Sequence, residues 1–332
     1  MSGNYRGCST INNILLEEGA KRFGINVSDI DLLGGFSNNV YEYKGYNENF
    51  ILKFYESSIY ERDSIEAELE WIMYLKQAGV YVTVPIPARS GKILEVLQLD
   101  GEEECWVVAF EKAEGKFVNV SDKADWHLDM FYKWGKTLGR IHALSKSYRP
   151  NSVKEWNSGR LFTEANNVSD EINAKWNRYV REIEKLPRDR DCYGMIHHDL
   201  HHQNFFIHKK EFVLFDFGDC EYNWFVYDIA VVLYHALQTV PEDDLRAREE
   251  FAEQFMAAFL AGYQMENQID AFWLKKLPFF LNYRQLYSYM YFSKHLTEGQ
   301  KQKVHVREAL KKMKIKIELD IPFLNLQFNM IR

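Results

Sequence analysis

Two rhythms divide the chain. Up to about residue 110, short apolar runs alternate with turn residues. Leu32-Leu33 and Val40-Tyr41 flank a turn rich in Gly, Ser and Asn, Phe50 to Tyr55 is a longer apolar run, and Ile93 to Leu99 is joined to Cys105 to Phe110 by Asp100-Gly101, a strong hairpin dipeptide. Two helical patterns interrupt these runs. Ser9 to Gly24 carries a cap at Ser9, a stripe of Ile11, Ile14, Leu15 and Phe23, and a stop at Gly24, while Glu61 to Ala78 has an apolar side of Trp71, Ile72 and Leu75. From Ser121 the period changes to that of helices, over Trp126 to Ser145, Val168 to Leu186, a segment ending at Leu237, and an aromatic-rich tail from Pro241 to Arg332. One hairpin stands inside this half: Phe205 to Ile207 and Phe212 to Phe215, folding at Lys209-Lys210. The pattern predicts an α+β protein, with a small, mostly antiparallel sheet and one key helix followed by a larger helical part.

Chemistry concentrates around that hairpin. Pairing its strands brings Asn204, at the start of one, near Asp216, at the end of the other, and Asp199 stands in the loop just before. Mg²⁺ is a hard cation that takes oxygen ligands, usually one or two from the protein, with phosphates and water supplying the rest. Asp216 and Asn204 can supply two, which leaves Asp199 to orient a hydroxyl. Earlier in the chain, Lys53 places a charge inside an otherwise apolar strand, which is costly unless the ammonium is paired or binds an anion.

His197-x-Asp199-x-x-x-x-Asn204 followed by Asp216-Phe217-Gly218 resembles the catalytic and metal loops of the protein-kinase-like fold. Asp199-Leu200-His201 and Tyr227-Asp228-Ile229-Ala230 resemble the aminoglycoside phosphotransferase and choline kinase branch, with His201 where protein kinases carry a lysine. Homoserine-kinase-type enzymes and bacterial stress-response Ser/Thr kinases share this fold. The resemblance implies two lobes: a nucleotide-binding lobe at 1–111, a hinge at 112–115, and a catalytic and acceptor-binding lobe at 116–332. It implies ATP and Mg²⁺ as cofactors, and transfer of the γ-phosphoryl group to the hydroxyl of a small molecule. Within it, Gly35, Phe36, Ser37, Asn38 and Asn39 would cover the phosphates. Lys53 would neutralise the α- and β-phosphates, oriented by Glu68 rather than by the neighbouring Glu66 or Glu70. Backbone groups of Glu111 and Ala113 would read the adenine edge. Asn204 and Asp216 would hold the metal, and Asp199 would position and deprotonate the acceptor. Asp228 would brace the catalytic loop from a helix start, and His197 would act as scaffold, bonded to backbone near Asp216. Two residues stay open. Asp219 is a second metal ligand or a turn former, and Arg284, an isolated cation in an aromatic helix, holds a substrate carboxylate or phosphate or else forms a structural ion pair.

Composition narrows the alternatives. The chain has 332 residues and a net charge of −7, which argues against a dedicated nucleic-acid partner. Its four cysteines are scattered with no C-x-x-C pair, and His198, His201 and His202 are poorly spaced for tetrahedral zinc. No membrane-length apolar run or signal-peptide core is present, so a cytoplasmic setting is expected, with oligomeric state open. An atypical Ser/Thr protein kinase is the second functional reading, weakened by the lack of an A-P-E activation segment after Asp216. A non-catalytic nucleotide-binding regulator is the third, weakened by the intact set of Lys53, Asp199, Asn204 and Asp216.

Overall fold

The computed structural model describes residues 11–35, 38–44, 49–98, 104–151, 155–156 and 168–325. The chain forms two compact units, the first of residues 1–115 with 150–154 and 213–218, the second of 116–149, 155–212 and 219–332.

In the first unit, β1 (Ile30–Gly34), β2 (Val40–Lys44), β3 (Asn49–Glu56), β6 (Glu104–Glu111) and β4 (Pro85–Ile86) lie side by side, and β5 (Glu95–Gln98) also pairs with β6. Every pairing among these strands is antiparallel, in line with the mostly antiparallel sheet expected. Alternation sorts β3 by face. Phe50, Leu52 and Phe54 join Tyr41, Leu97, Cys105, Val107 and Ala109 in a core capped by Leu15 of α1 (Asn13–Phe23) and by Ile11 just before that helix. Lys53 and Tyr55 therefore belong to the other face. The expected cap Ser9 lies outside the described residues; Asn12 caps α1 by accepting the Leu15 N–H at 2.8 Å, and Ile14, expected in the apolar stripe, is exposed. Gly24 ends α1 in the left-handed region, as the sequence implied. α2 (Arg62–Gln77) buries Trp71, Ile72 and Leu75 along with Glu68. The Asp100-Gly101 turn lies outside the described residues.

In the second unit, α3 (Leu128–Ser145), α4 (Asp170–Glu184), α5 (Phe225–Ala236), α6 (Leu245–Tyr263), α7 (Leu277–His295) and α8 (Val304–Glu318) supply the mass. α3 and α6 meet backbone to backbone. A Cβ at Gly135 would lie 1.8 Å from the Phe259 oxygen, one at Gly139 2.5 Å from the Tyr263 oxygen, and one at Gly262 1.8 Å from the Tyr132 oxygen. α5 is buried along nearly its whole length. β7 (Tyr193–Ile196) pairs antiparallel with β10 (Glu221–Trp224) and leads into the loop that carries Asp199. β8 (Phe205–His208) and β9 (Glu211–Leu214) form the expected hairpin, turning at Lys209 and Lys210, both with positive φ, as tight hairpins require. No helix among the described residues is long and apolar enough to cross a membrane.

Candidate active site

In the first unit a charged cluster forms on the face of β3 opposite the core. Lys53 Nζ lies 3.0 Å from Asp216 Oδ1 and 3.5 Å from Glu68 Oε1. Tyr55, two residues on and hence on the same face, donates its hydroxyl to Glu68 at 3.2 Å. The other two glutamates of α2 are engaged elsewhere: Glu66 pairs with Arg62, and Glu70 accepts from Asn151. Burial acts to discharge Lys53, yet Asp216 and then Glu68 outweigh it and hold its pKa well above the ordinary lysine value. Asp216 has φ +61°, a left-handed conformation that non-glycine residues adopt at a cost and that concentrates at functional sites. Beside it, a Cβ at Gly218 would lie 2.7 Å from Lys53 Nζ, so glycine keeps the cradle open.

The residues expected over the phosphates are partly described. Gly35 (φ +84°) and Asn38 (φ +51°) shape the β1–β2 turn, and the Asn38 N–H donates to the Gly35 oxygen. Asn39 is buried and donates its side-chain amide to the Phe54 oxygen at 2.6 Å, while the Phe54 N–H donates to the Asn39 oxygen, which ties the turn to the lysine strand. Phe36 and Ser37 lie outside the described residues. Glu111 ends β6 with its N–H donated to the Val84 oxygen, and Ala113 follows, half-buried.

In the second unit Asp199 is held from four directions. Arg284 Nη2 donates to Oδ1 at 2.9 Å, and His235 Nε2 lies 3.3 Å from the same oxygen. His201 Nε2 lies 3.3 Å from Oδ2, and Asn204 Nδ2 lies 3.4 Å from it. His201 Nδ1 accepts the Gln203 N–H, so the neutral ring carries its proton on Nε2, toward Asp199. Burial would raise the Asp199 pKa, but the hydrogen bonds from His201 and His235 and the charge of Arg284 bring it well below the ordinary carboxylate value. Burial lowers His235 to about 4, so it is neutral near pH 7.

Behind this loop runs a buried polar chain. Asn267 donates to the Tyr263 hydroxyl at 2.8 Å, Tyr263 to His142 Nδ1 at 2.8 Å, and His142 Nε2 to Asp228 Oδ2 at 3.1 Å. Asp228 accepts the backbone N–H groups of His197 and His198 at 3.0 and 2.9 Å. It stands in the first turn of α5 but bonds the loop that leads to Asp199, so it braces that loop without capping its own helix. His197 Nδ1 accepts the Asp199 N–H at 3.4 Å.

Asn204 and Asp216 both suit a hard cation. The Asn204 amide nitrogen is committed to the Asp199 carbonyl at 2.8 Å, which leaves the amide oxygen for coordination, and the Asp216 side chain is 57% exposed.

Sequence reasoning missed Tyr55, His235 and the His142–Tyr263 link. Alternation would have found Tyr55, and His235 sits two helical turns after Asp228 on one face of α5. Arg284 stands out in the sequence, but its partner, 85 residues away, is Asp199.

Residues 30–271 match the model of a phosphotransferase enzyme family. The chain belongs to that family. It is 34% identical over 285 residues to amicoumacin kinase of Bacillus subtilis (strain 168), covering 83% of each chain. Its fold is similar to that of amicoumacin kinase hAmiN in complex with AMP-PNP, Ca²⁺ and Ami, with a TM-score of 0.87, 27% identity and 97% of each chain covered. A microcompartment-associated aminopropanol kinase shares the fold at TM-score 0.71 and 20% identity, over 92% of this chain and 94% of that one. The phosphotransferase thus has the protein-kinase-like fold of the aminoglycoside phosphotransferase and choline kinase branch. It carries out ATP-dependent transfer of a phosphoryl group to a small-molecule hydroxyl, with a divalent metal, typically Mg²⁺.

Proposed function

We propose that this phosphotransferase moves the γ-phosphoryl group of ATP to a hydroxyl of amicoumacin or a closely similar small molecule. The observation that carries the reading is double: amicoumacin kinases appear both at 34% identity over 83% of the chain and at TM-score 0.87 over 97% of it. Residues 1–111 act as the nucleotide-binding part, 112–115 as hinge, and 116–332 as the catalytic and acceptor part, and the enzyme works in the cytoplasm.

In this reading the ammonium of Lys53, oriented by Glu68, neutralises the α- and β-phosphates, and the Gly35–Asn39 turn covers them. Glu111 and Ala113 read the adenine. Asn204 and Asp216 hold the metal, which when bound neutralises charge on the phosphoryl oxygens. Asp199 orients the acceptor hydroxyl and receives its proton as the oxygen–phosphorus bond forms and the bond to the ADP oxygen breaks. A strongly acidic carboxyl is a weak base, so its main contribution is alignment, which suits a loose transition state that demands little proton abstraction until late.

Release of ADP across a panel of amicoumacin, aminopropanol, choline, homoserine and aminoglycosides tests the acceptor. Turnover that rises at least tenfold with amicoumacin alone is the expected result. Dependence on another panel alcohol, with amicoumacin inert, overturns the assignment.

A further inference from the structure

The two oxygens of Asp199 are not equivalent. Oδ1 takes a short, charged hydrogen bond from Arg284 at 2.9 Å, whereas among the described residues Oδ2 has only the contacts of His201 at 3.3 Å and Asn204 at 3.4 Å. Arg284 is itself immobilised. Its side chain is 9% exposed, its Nη2 lies 3.2 Å from His235 Nε2, and its guanidinium carbon stands 5.3 Å over the Tyr287 ring.

The pairing is also an uneconomical one for stability. Arginine meets a carboxylate most favourably as a fork, through two parallel N–H groups. Here Nη2 meets Asp199 end-on, and the buried Nε has no hydrogen-bond partner among the described residues. A buried N–H left unmade is a cost that an ion pair selected for stability would avoid. End-on contact fixes one oxygen and leaves the outer edge of the carboxylate to another group.

From this we infer that Arg284 is a positioning residue for phosphoryl transfer: by pinning Oδ1, it presents Oδ2 of Asp199 as the atom that receives the acceptor hydroxyl. The hydroxyl displaces the weak His201 contact, and Arg284 stays in place. His235 Nε2, 3.2 Å from Arg284 Nη2 and 3.3 Å from Oδ1, packs beside this contact and keeps the guanidinium from swinging away. The inference rests on Asp199 as the residue that meets the acceptor. It adds which oxygen does so and what selects it.

The test compares Arg284→Met and Arg284→Lys with the wild-type enzyme and with Asp199→Asn, using the best acceptor of the panel, or water as acceptor where none turns over. Misplacing a reacting group by about 1 Å costs on the order of 10²-fold in rate. Arg284→Met is therefore expected to lose about 10²-fold in kcat with the KM for ATP unchanged within twofold, and Arg284→Lys to recover about tenfold of that loss. A folded Arg284→Met with kcat within twofold of wild type overturns the inference. Should Arg284→Met fail to fold, Arg284→Lys decides alone: a loss of about tenfold in kcat at constant KM for ATP supports the inference, and unchanged kcat overturns it. Asp199→Asn separates the levels. If it keeps wild-type turnover, the role of Asp199 itself fails; if it is inactive while Arg284→Met is not, only the pinning fails.

Discussion

Asp228→Asn tests the brace behind the loop that carries Asp199. Asp228 is fully buried and accepts three hydrogen bonds, from the His197 and His198 amides and from His142. Asparagine keeps the shape but has one oxygen, so at least one buried amide faces an NH₂ group and the others lose their charged acceptor. Hydrogen bonds to charged groups contribute about 1.5–3 kcal/mol each, and an unsatisfied buried donor costs about 1–3 kcal/mol. A net loss of about 3 kcal/mol follows. For a cooperative unit of about 150–250 residues, each kcal/mol moves Tm by roughly 2–4 °C, so a fall of about 6–12 °C is expected by calorimetry or near-UV circular dichroism. Because the freed amides belong to the residues just before Asp199, kcat should fall by at least tenfold while nucleotide affinity, measured by titration with AMP-PNP, changes little. A Tm within about 1 °C of wild type, with kcat within twofold, would refute the idea that Asp228 holds the loop.

Lys53→Met should raise the KM for ATP and lower kcat by about 10²–10³-fold, as loss of a preorganised charge at a reacting centre does; the steady-state rate at saturating ATP checks it. Tyr55→Phe removes the hydroxyl bonded to Glu68 and should cost about 1 kcal/mol in a denaturant titration, with only a small change in kcat. For pH, burial holds His142 below its ordinary 6.5, so the unfolded chain takes up the proton first. Its contribution is whole above about pH 6.5 and is lost as pH falls; the hydrogen bond from His142 holds Asp228 below 3.8 despite its burial, so a second loss comes near that value. A plot of Tm against pH should therefore slope downward from pH 6.5 toward 4, and His142→Gln should flatten it there. Chelation with EDTA should abolish turnover, and excess Mg²⁺ should restore it, read as ADP release.

Much of this was legible because it was local. The apolar run around Lys53 and the helix carrying Glu68 follow from periods of two and 3.6, and the positive φ of Lys209 and Lys210 closes a hairpin that Phe205–Ile207 and Phe212–Phe215 announced. Spacing on α2 could not by itself choose among Glu66, Glu68 and Glu70, because all three fit a solvated helix; only the fold shows that Arg62 and Asn151 take the other two. The link from Arg284 to Asp199 spans 85 residues, and no short-range pattern encodes it. Similarly, the periodicity of α1 places Ile14 in its apolar stripe although the side chain is exposed, because an amphipathic helix has tolerance at its margins and the sheet it covers decides which edge is dry.

The glycine seam between α3 and α6 has a consequence for how such an enzyme changes its preferences. Gly139 touches the backbone of Tyr263, and one turn later His142 receives the Tyr263 hydroxyl. Helix spacing and proton-bearing contact are thus set by the same absence of side chains, so even a methyl group there would push two spines apart and slacken the lattice of bonds that ends on the loop before Asp199. Variation that retunes the acceptor must accumulate away from that seam, on surfaces that can alter without disturbing the distance between two helices.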